Sequence, residues 1–434
     1  MLQALITRLC DGHALGDTAL VQRLRLLLLD TAAISIASLQ QPPLLELQQQ
    51  RAKVDSGLVQ LPGMRHGLNP AGTASVLATS ACWDELVGGD ARSHGRPGLA
   101  VVPVVMALSF AQRDSLERTL LALMLGYEVA ATIGRAYQVP EGEHVDGSWQ
   151  TAGAAVAATA LLSDDPAVIT EAASLATSQM SRTLMSTVHE GKSGRTLYAA
   201  QAVERGMALA NAACAGFQGP SDPFAAKPLQ GLIEQRNLRS NQSAAAFDAY
   251  VKFLPGARHL HYAVAAVQSW QKQHQVWNRQ LEQEAKIQLR IYPEAIRYCN
   301  QPKPENRIQA QFSLQFAVAS SLIHGSLQSQ CFTQEKLESP RLQTLMQAIA
   351  LESDEKPQGR WAEIVISTPD NGERSALIEG VDGDHIDAET EGHLLDHRQQ
   401  LMEPVLGTEN AKALIQHWWT APLTEKLLPP ELWI

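Results

Sequence analysis

Aromatic residues make up only 5% of this 434-residue chain, so its 45% hydrophobic fraction rests mainly on Ala, Leu and Val. A β-sandwich core draws on aromatic and β-branched side chains; this composition favours helices. Cysteines are few and scattered. Cys10, Cys82, Cys214, Cys299 and Cys331 form no CxxC pair and no zinc-type spacing, which leaves a structural metal site or an iron–sulfur cluster without support. A reducing compartment fits them best. No Lys/Arg block stands out and the formal charge is −10, which argues against nucleic acid or an anionic membrane as partner. The longest charge-free apolar stretch, Pro97 to Gln112, contains Pro103 and falls short of the ~20 residues that a membrane span needs. Residues Met1 to Cys10 lack a secretory pattern. We therefore expect a soluble, cytoplasmic protein.

What is there is helical patterning, over a length that suits two domains. Thr18 to Ser38 is leucine-rich at helical spacing with Asp30 inside it. Leu44 to Val54, Thr73 to Leu86, Leu99 to Gln112 and Leu120 to Arg135 follow, then Gln150 to Leu162, Pro166 to Leu184 and Thr196 to Ala215. Shorter helices are expected over Leu229 to Asn237 and Gln242 to Ala249. After Pro255 the texture changes. His261 to Gln275, Arg307 to Leu322 and Thr333 to Leu351 read as helices, while Ala285 to Tyr292 alternates as a half-buried strand. Trp361 to Thr368 and Arg374 to Val381 read as a strand pair joined at Pro369 to Gly372. The expected fold class is mainly α: an all-helical domain, 1–254, completed by 402–434, and a smaller α+β lid domain, 255–401.

The chain is organised around Glu143-His144-Val145-Asp146-Gly147-Ser148-Trp149, a loop held between two helices. The helix after it, rich in Ala and Gly, allows close backbone approach and should be buried on most sides. A His- and Asp-bearing loop so placed is a candidate for chemistry, although a lone His is more often structural. Two other patterns are misleading. Gly191-Lys192-Ser193 imitates the end of a P-loop but has Ser186 at the first glycine position, and His189-Glu190 lacks the second His of a zinc-protease helix. Arg92 to Arg96, Gly191 to Arg195 and Lys252 to His261 each place cations beside glycine or proline. If they converge with His144, they form a cationic, metal-free site for a small polycarboxylate; if not, they are solvated loop residues.

Several segments resemble the MmgE/PrpD family, which includes 2-methylcitrate dehydratases, cis-aconitate decarboxylases and iminodisuccinate epimerases. They are Leu29-Asp30-Thr31, the stretch His94 to Pro103, Gly126 to Ala130, His144 to Trp149, Arg195 to Gly206 and Lys252 through His261. The resemblance implies a helical domain completed by the C-terminal tail, an α+β lid, a homodimer, and an active site between the domains with no metal or organic cofactor. It places His144 on a family active-site histidine and Lys252 on an active-site lysine. Departures are Arg96 where a histidine is frequent, Arg195 where the decarboxylases have lysine, a reduced acidic segment (Asp84, Glu85, Asp90), and Phe316 where a decarboxylase tyrosine would stand.

On this reading His144, Lys252 and His94 are the catalytic candidates, and Arg96, Arg195, Arg258, His261 and Asp90 the substrate-binding ones. The chemistry starts with removal of a proton α to a carboxylate, the cations holding the developing charge and His144 acting as base or acid. Loss of a β-hydroxyl would make the protein a hydro-lyase acting on a hydroxy di- or tricarboxylate. Epimerisation or decarboxylation on the same scaffold, a non-catalytic carboxylate-binding protein and a purely structural dimer are the competing readings.

Overall fold

The first long helix, α1 (Thr18–Ser38), starts where the Asp17 carboxylate accepts the N–H groups of Ala19 and Leu20, satisfying donors that a helix start leaves free. The computed structural model describes residues 2–11, 14–225, 244–274, 277, 282, 284–354, 359–369 and 372–429. Helices account for 61% of it and strands for 10%. The fold is mainly α with a smaller α+β part.

After α1, the chain forms α2 (Pro70–Ala81), α3 (Gly98–Gln112), α4 (Leu116–Ala136), α5 (Gln150–Leu162) and α6 (Tyr198–Cys214). Asn69 and Ser115 cap α2 and α4. The hub is α5, which packs against α4 and α6 through residues too small to hold them apart. A Cβ added at Gly153 would meet Ala130 Cβ at 2.6 Å and the Gly126 carbonyl at 2.8 Å, and one at Gly206 would meet Ala154 Cβ at 2.6 Å. The helix expected over Pro166 to Leu184 ends earlier, at Thr177.

The α+β part begins with α7 (Arg258–His274) and carries a sheet of β1 (Lys286–Ile291), β2 (Ile349–Ser353), β3 (Ala362–Thr368) and β4 (Gly372–Ile378). Its order is β2-β1-β3-β4, with β1 parallel to β2 and the other pairs antiparallel. The helix expected over Thr333 to Leu351 is corrected here. Pro340 starts a fresh helix, Pro340–Gln347, and Ile349 then pairs with Ile287 as the start of a strand. The helix expected over Arg307 to Leu322 is also broken, because Ser313 caps a new segment, Leu314–His324. The helix expected over 229–237 and the first part of that over 242–249 lie outside the described residues.

The C-terminal helices α8 (Ala388–Leu406) and α9 (Thr408–Thr420) return to the first helices. Arg25 on α1 donates to the carbonyls of Trp418 (2.7 Å) and Ala421 (2.5 Å). Asp30 is bound by Arg398 at 2.6 Å, and both side chains are buried. Two main apolar clusters result. One combines residues between Leu2 and Ala249 with Met402 to Leu428, and the other runs from Met185 to Ala376 around the sheet. Among the described residues, no helix is long and apolar enough to cross a membrane.

Candidate active site

A cavity of about 530 Å³ opens between these two clusters. Its floor is the short segment after α2, where Glu85 adopts a left-handed backbone with φ 53°. Such a conformation is costly for a residue with a side chain and persists only where its surroundings enforce it. The enforcement comes from the α+β part. Arg307, flanked by the rings of Trp83 and Phe332, pairs with Asp84. Gln311 donates to the Trp83 carbonyl at 2.8 Å, and the Gly256 N–H to that of Asp84 at 3.0 Å.

Glu85 thereby faces two guanidinium groups. Arg96 Nη1 lies 2.8 Å from one carboxylate oxygen, and Arg195 Nη2 bonds the other. Asp146 closes the network by accepting from Arg96 Nη2, with Arg195 at 3.8 Å. Two cations thus meet two carboxylates, all buried. Burial would raise the Asp146 carboxyl, but Arg96, His144 and Arg195 hold it well below the usual carboxylate range. Glu85 is likewise lowered against its burial, by Arg195, Arg96 and Lys252.

Lys252 comes from the strand end after Ala249–Tyr250, which pairs with Gly89–Asp90. Its Nζ donates to the Glu85 carbonyl and, at 2.9 Å, to the Gly256 carbonyl. Two of its bonding directions are therefore taken, leaving the third, a proton or a lone pair. Burial, resisted by Glu85 and aided by Arg96 and Arg195, brings Lys252 down to about 7. His144 sits in the loop that Gly147 turns into α5 at φ 94°, where an added Cβ would press on Thr183 and Tyr198. The Asp146 N–H donates to His144 Nδ1 at 3.0 Å. Burial lowers His144 to about 4 despite Asp146. A neutral ring whose Nδ1 is an acceptor carries its proton on Nε2.

His144, Lys252, Arg96, Arg258, His94 and Asp90 line this cavity. Three of the six are already engaged in ion pairs. Besides Arg96, Arg258 is paired with Asp384 and lies 3.6 Å from the centre of the Tyr250 ring. Asp90 bonds Arg135 at 2.5 Å and accepts the N–H of Arg92 and Ser93, so it shapes the loop that carries His94 and Arg96. His94 is more than half exposed at the rim, 4.0 Å from Glu294. Arg195 does not line the cavity: its side chain is fully buried behind Glu85. His261 turns away too, bonding backbone at Leu254 while its Nε2 has no hydrogen-bond partner among the described residues. The histidine of α7 that reaches the cavity is His259, bonded to the Tyr292 hydroxyl at 2.7 Å. Phe316 packs on Phe332 in the second core, and the aromatic residues that line the cavity are Tyr250, Tyr298 and Phe312. Glu85, Arg297 and Arg360 also line it. Sequence reasoning gave them no role, although the Asp84-Glu85 pair on a glycine-flanked turn was visible. Among the described residues, no group of three His, Cys, Asp or Glu is arranged to hold a metal ion.

No curated protein matches the chain in sequence. Two family models do match: the MmgE/PrpD N-terminal domain over residues 5–235 and the MmgE/PrpD C-terminal domain over residues 255–420. With nearly the whole length covered in the same order, the chain belongs to the MmgE/PrpD family.

Proposed function

We propose that the chain is a cofactor-independent hydro-lyase that abstracts the α-proton of a small hydroxy di- or tricarboxylate. Members of its family are generally enzymes, dehydratases and related. The observation that carries the finer reading is the state of Lys252: buried, brought to about 7, and held by two carbonyls so that one direction remains for a reacting proton. An amine titrating near neutrality is suited to act as a general base.

The steps balance as follows. Lys252 Nζ takes the α-proton, and its electron pair moves into a carbon–carbon double bond. The β-carbon–oxygen bond breaks, and the oxygen leaves as water with a proton from His94 at the rim. His144, neutral and with its proton on Nε2, donates a hydrogen bond to the carboxylate that gains charge as the α-proton leaves. Arg96 stabilises the same charge, while Arg195 and Asp146 keep Arg96 and Glu85 in place. His144 thus acts as a donor and Lys252 as the base. A homodimer, implied by the family resemblance, and a cytoplasmic location, in keeping with the scattered cysteines, complete the proposal.

Proton NMR in deuterium oxide with a panel of hydroxy, amino and unsaturated di- and tricarboxylates tests it. A vinyl signal that Lys252→Met abolishes establishes the dehydratase. Exchange of an α-proton without a vinyl signal would replace it with an epimerase.

A further inference from the structure

The charges of the main cavity leave a physical problem. Glu85 and Asp146 neutralise Arg96 and Arg195, Asp384 neutralises Arg258, and Glu294 stands 3.6 Å from Arg360. Lys252 is bonded to carbonyls and needs to be uncharged in order to act as a base. A polyanion entering this space finds donors, but little uncompensated positive charge.

Arg297 is the exception. It follows Pro293 on the short helix Pro293–Cys299 and lines the main cavity from the α+β side. Its guanidinium lies 5.4 Å from the centre of the Tyr298 ring and meets no carboxylate among the described residues. It is also part of a second cavity, of about 440 Å³. Arg297, Tyr298 and Phe312 belong to both walls, so the two spaces adjoin. The second wall adds His189, Asn300, Gln301 and Gln309 and contains no acidic residue among the described residues. Gln309 is committed to the His189 carbonyl at 2.8 Å, and the Asn300 carbonyl oxygen to Gln315 at 2.8 Å, which turns the Asn300 amide N–H₂ into its remaining polar group. A space with a free guanidinium, a free amide donor, an imidazole and no carboxylate suits an anion.

We propose that Arg297 and the adjoining cavity form a subsite for an anionic arm of the substrate, remote from the carbon that loses its proton. The inference rests on the carboxylate reading of the main cavity and narrows it. The preferred acid carries a further carboxylate beyond the reacting region, so the chain selects tricarboxylates over four-carbon dicarboxylates.

The test is calorimetric titration of the full chain with succinate and with propane-1,2,3-tricarboxylate. Arg297→Met, Gln301→Glu and Lys252→Met are compared with the wild type. Arg297 is exposed, so its replacement is not expected to disturb folding, and the unliganded melting midpoint checks this. The wild type should bind the tricarboxylate more tightly than succinate. Arg297→Met should lower tricarboxylate affinity by about tenfold or more, the loss of one charged hydrogen-bonded contact, while succinate affinity stays within about twofold. Gln301→Glu, which places a negative charge in the second cavity, should weaken the tricarboxylate alone. Equal effects of Arg297→Met on both acids, or on neither, would overturn the subsite while leaving intact a main site in which succinate binding responds to Lys252→Met. Binding of neither acid to the wild type would overturn both readings.

Discussion

Lys252 and His144 divide the work because their environments differ. Both are lowered by burial, yet Lys252 arrives near neutrality and His144 far below it. The rate should follow the lysine. Below about pH 7 the amine is protonated and cannot accept, so kcat/KM should fall about tenfold per pH unit on the acidic side. A pH–rate profile with no acidic limb near 7 would remove Lys252 from the role of base. Asp146 and Glu85 govern stability instead. Both are held below their unfolded values near 4. The stability they contribute is therefore complete above about pH 4 and is lost as pH falls through their folded values. Urea midpoints measured between pH 3 and 6 should drop at the acid end, and Asp146→Asn should flatten that drop. The residue scale is also where the sequence was least legible. His259 and His261 are two apart on a helix, about 200° around its axis, so one must turn away from what the other faces. Patterning does not say which. Arg195 read as a free cation because nothing local marks Glu85, 110 positions earlier, as its partner.

Elements were legible where local chemistry closes them. The reading of α1 as Thr18 to Ser38 and of α5 as Gln150 to Leu162 matches the structure residue for residue. Asp17 caps the first, and Gly147 and the change to Ala-rich sequence announce the second. The strand Ile349–Ser353 was missed because what makes it a strand is Ile287 to Ile291, some 60 residues away. Packing of α5 on α4 fixes the two ends of the loop that carries His144 and Asp146. Gly153→Val would drive its side chain into Ala130 and the Gly126 carbonyl. Overpacking of this kind costs about 1–3 kcal/mol or more. The expected result is a lower melting midpoint together with a loss of activity, since the His144 loop feeds directly into α5. An unchanged midpoint would show that α4 and α5 can separate at little cost.

At the scale of the whole molecule, the last helices hold the first. Arg398 on α8 bonds the Asp30 carboxylate at 2.6 Å and the Lys252 carbonyl at 2.6 Å. Asp30 also accepts the Gly88 N–H at 3.2 Å, next to the floor of the cavity. Arg398→Met should therefore cost about 3–5 kcal/mol, the usual penalty for stranding a buried charge. It should also lower kcat more than it raises KM, because Lys252 loses its anchor. A variant of normal stability and activity would reduce the contact to decoration. The same bond sets a timetable for biosynthesis. Asp30 leaves the ribosome 368 residues ahead of Arg398, a wait of roughly 20 to 70 seconds at 5–20 residues per second. For that time a nascent chain holds a carboxylate destined for burial without its counter-charge, and for the last 146 residues of it a lysine whose backbone is not yet tethered. Chaperones that shield early helices have their longest task here, and no translation product that stops short of residue 398 should turn over substrate.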